Sequence, residues 1–355
     1  MKRRMMRLNE LTAVEASRMM TAGEITSEAL VETCLERIRG REETVGAWEY
    51  IDPDRTLEQA RALDRLPRRG PLHGIPVGVK DIMDTADMPT AYGSGIYRDN
   101  HPSWDASCVA LIRAAGGLVL GKTVTTEFAV FHPGKTTNPH NLAHTPGGSS
   151  SGSAAAVADF MVPLALGTQT GGSIIRPASF CGVVGYKPTF GLVNRAGVKP
   201  CAESLDTVGL FARTVEDAAF FASVLTGRPS LVLKETLETV PRIGLCRTYE
   251  WSHAAPETVW AFEEAGNRLA RSGAEVREVN LPEPFAHLVE AQTTIMRYEM
   301  ARAFVYEYTN HRNQLSSKFR ELIESGQACS PEEYDRAHAL AEKCRGLLNT
   351  VFSNL

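Results

Sequence analysis

The chain has 355 residues, 43% of them hydrophobic and 23% charged, which is the make-up of a soluble globular protein. That length buries a large core and accommodates one big domain or two ordinary ones. A formal net charge of −4, with no long basic run, argues against a dedicated nucleic-acid surface.

The chain opens Met1-Lys2-Arg3-Arg4, but Glu10 and Glu15 arrive before any apolar segment, so no secretory signal is expected. Ser27 is expected to cap a helix over 27–39, because Leu30, Val31, Cys34, Leu35 and Ile38 recur at helical spacing. Asp105 is expected to start another, with Val109, Ile112 and Arg113 leading to Gly116-Gly117. Leu118-Val119-Leu120 then reads as a short buried strand ending at Gly121. Residues 151–160 read as a small-residue helix packed closely on its neighbours, and 162–166 and 183–186 as strands. An amphipathic helix follows at 214–225, and strands at 242–246 and 276–279 flank a helix at 256–271. Residues 283–355 are helical in pattern, charged and chemically silent. Short apolar strands alternating with helices predict an α/β fold with a sheet covered on both faces. The most apolar stretch, 154–166, is broken by Asp159 and Pro163 and is too short to span a bilayer. Seven cysteines without a Cys-x-x-Cys or Cys/His cluster predict free thiols in a reducing, cytoplasmic compartment, with no zinc site.

Three segments carry the chemistry. The first, Gly74-Ile75-Pro76-Val77-Gly78-Val79-Lys80-Asp81, ends an apolar run on a lysine. Carried into the interior, its ammonium loses hydration, its pKa falls, and it can serve as a general base. The plainer reading is a snorkelling lysine, or one paired with Asp81 or Asp84. The second is Pro146-Gly147-Gly148-Ser149-Ser150-Ser151-Gly152-Ser153-Ala154-Ala155-Ala156. By chemistry alone Ser149, Ser150, Ser151 and Ser153 all compete for a proton-relay role, or simply cap and pack a helix. The third is Gly167-Thr168-Gln169-Thr170-Gly171-Gly172-Ser173-Ile174-Ile175-Arg176-Pro177. Its bare glycines allow successive N–H groups to converge on one point beside Ser173, the candidate nucleophile. The plainer reading is a strand-to-helix turn.

Two other patterns are decoys. Gly116 to Thr123 fits the P-loop spacing, but its middle positions read as a strand rather than a flexible loop. Gly148-Ser149-Ser150-Ser151-Gly152 fits a nucleophile elbow, but a polar loop precedes it where a strand is needed.

In this order the three segments resemble the amidase signature family, over about 11–227 and most densely over 72–217. The resemblance implies one large α/β domain across 1–355, with a mixed central β-sheet between helices. Its parts would be a helical N-terminal region at 8–66, the signature core at about 72–217 and a helix-rich C-terminal region at 283–355. It implies a cofactor-free, metal-independent amidase with Ser173 as nucleophile, Ser149 as relay after a cis peptide bond, and Lys80 as base. Backbone N–H groups of Thr170, Gly171, Gly172 and Ser173 would form the oxyanion hole. Lys187 to Gly191 and Ser204-Leu205-Asp206 match the family as framework, with Asp206 and Asp81 as acceptors behind the site.

The third segment, with Asn138-Pro139-His140-Asn141 upstream, is most similar to the malonamidase subgroup. There the arginine corresponding to Arg176 binds the substrate carboxylate, which implies a small amide such as malonamate; the rival role for Arg176 is a structural ion pair. The alternative is the amidase subunit of a glutamine-dependent tRNA amidotransferase. That subgroup usually has an aspartate-containing version of Gly-Thr-Gln-Thr and its arginine one place earlier. Family members normally continue past the equivalent of Leu355, so a truncated member or an inactive fragment is a third expectation. The expected partner is a small-molecule amide, with neither nucleic acid nor membrane; homodimerisation comes from the resemblance alone.

Overall fold

The computed structural model describes residues 7–233 and 239–355. The basic start Met1-Lys2-Arg3-Arg4 lies outside them. The described residues divide into two compact units, 7–233 with Arg302–Leu322 and 239–301 with Ile323–Leu355.

In the first unit, α1 (Ala13–Thr21) starts from a capping box between Thr12 and Glu15. Helix α2 (Ser27–Val45) is capped by Thr26, whose hydroxyl accepts from Ala29 N. The expected cap, Ser27, is instead the first helical residue, and its buried hydroxyl donates to Gly74 O at 2.9 Å. The helix overruns the expected end and stops at Gly46, in the left-handed region at φ 60°. Strand β1 (Trp48–Ile51) and α3 (Pro53–Asp64) follow. Then come β2 (Pro76–Lys80), α4 (Ser107–Ala114), β3 (Leu118–Thr123), α5 (Ser151–Ala158) and β4 (Leu164–Gln169). The unit continues with α6 (Ile175–Cys181), β5 (Val184–Tyr186), β6 (Thr207–Ala212) and α7 (Val215–Thr226). Asp105 does not cap α4; it accepts from Ala86 N and pairs with Arg113.

These six strands form one mixed sheet in the order β1-β3-β2-β4-β6-β5. Strands β3, β2 and β4 run parallel, while β1, β6 and β5 pair antiparallel with their neighbours. Every residue of β2, β3, β4 and β6 is buried. Successive side chains point to opposite faces, so this sheet is covered on both. Strand β3 runs to Thr123, beyond the expected stop at Gly121.

In the second unit, β7 (Arg242–Cys246) and β8 (Glu275–Val279) pair in parallel through α8 (Pro256–Arg271). Beyond β8 the chain is helical, with α9 (Leu288–Ala303), α10 (Val305–His311), α11 (Ser317–Gln327) and α12 (Pro331–Ser353), of which Arg302–Leu322 belongs to the first unit. Among the described residues no helix is long and apolar enough to cross a membrane. Among the described residues the seven cysteines form no disulfide.

Candidate active site

Three parallel strands end together, and the candidate residues gather at their carboxyl edge. Ligands of open α/β sheets bind at such edges. Lys80 is the last residue of β2 and its side chain is 0% exposed. Its Nζ lies 2.7 Å from Ser149 Oγ and 2.8 Å from Thr168 Oγ1. Among the described residues no carboxylate forms an ion pair with it. Burial pulls its pKa down to about 7, against weaker upward pulls from Cys201 and Asp206.

The neighbouring strand holds a second lysine that is 0% exposed, Lys122. It faces Asp81 Oδ1 at 3.0 Å and donates to Met83 O, Pro89 O and Thr90 Oγ1. Those three bonds use its protons, so the Asp81 contact is one of charge. This lysine belongs to the P-loop-like string, whose residues from Leu118 to Thr123 are buried strand with no loop to cradle a phosphate.

The serine-rich segment enters α5 through a cis Gly148–Ser149 peptide bond. Its serines separate by partner. Ser150 Oγ donates to Thr168 O, Ser151 Oγ to Val124 O and Ser153 Oγ to Leu166 O. Ser149 alone of the four reaches Lys80, at 1% exposure. No strand immediately precedes this segment, which removes the nucleophile-elbow geometry.

Ser173 lies on the short link between β4 and α6, and it is 9% exposed. Among the described residues its hydroxyl forms no hydrogen bond, and the backbone N–H groups of residues 170–173 have no protein acceptor. Donors left open in this way are available to an incoming oxyanion. Neither Gly171 nor Gly172 has a positive φ. A Cβ on Gly172 would meet the Arg176 side chain, at an ordinary 3.7 Å from Nη1 and 3.8 Å from Cβ. The glycines therefore keep the face of the loop bare rather than satisfying a left-handed turn.

Two side chains brace this loop. Thr170 Oγ1 donates to Asp206 Oδ1 at 2.5 Å, while Asp206 Oδ2 accepts from Cys201 N and Ala202 N. Gln169 Oε1 accepts from Ile174 N and Ile175 N, and its Nε2 donates to Gly171 O. Sequence reasoning placed Asp206 behind the site but passed over Thr168 and Gln169, because a threonine and a glutamine in a strand carry no chemical signal of their own.

Arg176 is exposed and forms no ion pair among the described residues. Its Nε and Nη2 donate to Gly148 O at 3.1 and 2.7 Å, so it grips the peptide unit that carries Ser149. The Asn138–Asn141 string reinforces the same junction. Asn138 Nδ2 donates to Phe180 O at 2.8 Å, and His140 Nε2 lies 2.8 Å from Cys181 O, tying the loop before Ser149 to the helix after Ser173.

Comparison with known proteins bears on the family. A family model described as Amidase matches residues 29–337. A curated relative, a glutamyl-tRNA(Gln) amidotransferase subunit of Acidothermus cellulolyticus, is 42% identical over 295 residues. The match covers 76% of this chain and 58% of that protein, so the chain spans less than two thirds of that relative's length. A solved structure described as an amidase superposes with a TM-score of 0.87 at 35% identity, covering 95% of this chain and 79% of the other. The peptide amidase of Stenotrophomonas maltophilia superposes with a TM-score of 0.80 at 34% identity, covering 93% and 78%.

Proposed function

The chain belongs to the amidase signature family, and on that footing we propose that it hydrolyses a small carboxamide to a carboxylate and ammonia. The observation that carries the reading is the 2.7 Å approach of Lys80, buried and held near neutrality, to Ser149. The neutral amine takes up a proton that passes from Ser173 through Ser149, while Ser173 Oγ attacks the amide carbon. The N–H groups of Thr170, Gly171, Gly172 and Ser173 receive the negative charge that develops on oxygen. The C–N bond then breaks as the relayed proton reaches nitrogen, and ammonia leaves the acyl-Ser173. Water adds to the acyl group, its proton enters the same relay, and the Ser173–acyl bond breaks to give the carboxylate. The cycle balances with water as its only co-reactant. Thr168 Oγ1, the second partner of Lys80, holds the amine in place throughout.

Arg176 supports a substrate that carries a carboxylate close to its amide, as malonamate does. The guanidinium is exposed beside the loop of Ser173, and a planar fork suits a carboxylate. A second reading, the amidase subunit of a tRNA amidotransferase, is favoured by the name of the 42% identical relative. In that case the chain would work with partner subunits and prefer glutamine as its source of ammonia.

The test is intact mass after fluorophosphonate treatment, followed by ammonia release from malonamate, glutamine and simple amides. One adduct is expected on the wild type, none on Ser173→Ala, and slow labelling on Lys80→Ala. A folded wild-type chain that takes no label overturns the assignment. Preference for glutamine over malonamate selects the second reading.

A further inference from the structure

We propose that Gln169 is a positioning residue that aims the oxyanion-hole N–H of Gly172; this rests on the amidase reading above. The residue ends β4, four positions before Ser173, and is almost fully buried. Its one amide group holds backbone on both sides of Ser173. Oε1 accepts from Ile174 N at 2.9 Å and from Ile175 N at 3.0 Å, and Nε2 donates to Gly171 O at 2.8 Å. The two ends cannot be exchanged: two N–H donors require the oxygen and a carbonyl requires the nitrogen.

The consequence follows from peptide geometry. Cis bonds are confined to Gly148–Ser149 among the described residues, so the Gly171–Gly172 peptide is trans. In a trans peptide the C=O and the next N–H point in opposite directions. Holding Gly171 O toward Gln169 turns the Gly172 N–H away from Gln169, onto the open side of the loop. Gly171 and Gly172 have no side chains to fix that plane, and the loop's other brace, Asp206, acts on the Thr170 hydroxyl. The contact from Nε2 is what sets the plane. The contacts to Oε1 do a different task. The cap position of α6, Ile174, has no hydrogen-bonding side chain, and Gln169 supplies the acceptor that the first turn lacks.

The two tasks are separable by chemistry. Gln169→Glu keeps an acceptor for the helix N–H groups but loses the donor, and it sets a carboxylate oxygen against Gly171 O. The expected result is a kcat lower by roughly 10²–10³-fold, the loss typical of one oxyanion-hole donor. KM should stay within about twofold of wild type, because the ground-state carbonyl makes little use of that donor. Affinity for an aldehyde analogue of the substrate, which forms a tetrahedral adduct on serine, should fall in parallel with kcat/KM. Wild-type kcat in a folded Gln169→Glu chain overturns the proposal, as does a loss that appears only in KM. Should that variant not fold, neutral Gln169→Met removes both contacts and takes its place; wild-type kcat there overturns the proposal equally. Fluorophosphonate labelling of the wild type keeps the two ideas apart. An unlabelled wild type fails the amidase reading, whereas a labelled wild type with an unimpaired Gln169 variant fails only this inference.

Discussion

Two lysines lie buried on neighbouring strands; burial lowers the pKa of both, and they differ in the company they keep. Lys122 faces Asp81 and spends its protons on two carbonyls and a hydroxyl. Lys80 has two hydroxyls and, among the described residues, no ion pair, so the weak pulls of Cys201 and Asp206 repay little of the cost of burying a cation. Its pKa falls to about 7 through that burial. The sign for catalysis follows directly. The base is competent when neutral, and the neutral fraction grows as pH rises through the folded pKa. We expect kcat/KM to climb about tenfold per pH unit below that pKa and to level off above it. A pH–rate profile on any accepted amide reads this. Lys80→Arg, which stays charged, should lose roughly 10²–10⁴ in rate and the limb with it. A flat wild-type profile from about pH 6 to pH 8 would remove Lys80 from the role of base.

At the scale of elements, α5 shows how closely the small residues let backbones approach. Gly152 N donates to Val124 O at 3.0 Å, and a Cβ at Gly152 would stand 2.2 Å from Ala47 O and 2.4 Å from Val124 N. In an ordinary helix, Gly→Ala gains about 0.5–1 kcal/mol. Here the clash is with backbone, and overpacking costs about 1–3 kcal/mol or more, so the sign reverses. Gly152→Ala should lower the urea midpoint, and it should also reduce labelling of Ser173, since α5 follows Ser149 directly. An unchanged or higher midpoint would mean that α5 can slide on the sheet. The close packing of this helix was legible in its run of Ser, Gly and Ala. So were β7, whose bounds agree with those read from sequence, and the first halves of β3 and β4, because apolar runs between glycines and turns read directly as strands. Strand β1 was not legible: Trp48–Ile51 is four residues at a sheet edge and carries Glu49. Strand β6 is wholly apolar or small, yet only its pairing with β4 and β5 distinguishes Thr207–Ala212 from a loop. The cap of α2 shifted by one residue because Thr26 and Ser27 offer the same hydroxyl, and Gly74, far away in sequence, claims one of them. The site divides in the same way. Lysine, serine and glycine announced their chemistry, whereas Thr168 and Gln169 gained theirs from tertiary placement, the first across 88 residues of chain.

At the scale of the whole chain, the segment Arg302–Leu322 returns to the unit that holds the candidate site. Phe304 and Phe319 pack on Phe128 with ring centroids 5.1 and 5.2 Å away, and Ser316 N donates to Glu127 at 3.1 Å. The deepest tie is Glu307, which is 1% exposed and accepts from Tyr97 Oη and Lys199 Nζ. Lys199 also lines the small cavity behind Thr168 and Thr170, so this anchor reaches the partners of the proposed base and oxyanion loop. Removing one member of a fully buried pair typically costs about 3–5 kcal/mol, but Lys199 is 19% exposed and water screens part of its orphaned charge. Glu307→Ala should therefore lower stability in urea unfolding by less than that amount, and it should slow fluorophosphonate labelling as Lys199 loosens. Lys199→Met added to it should recover part of the loss, because the orphaned charge is gone and the methionine can pack against Tyr97 and Phe304, whose rings lie 5.2 and 5.5 Å from the present ammonium. If the two losses simply add, Lys199 and Glu307 do not act as a pair, and the returning segment is held by its phenylalanines and the Ser316–Glu127 contact.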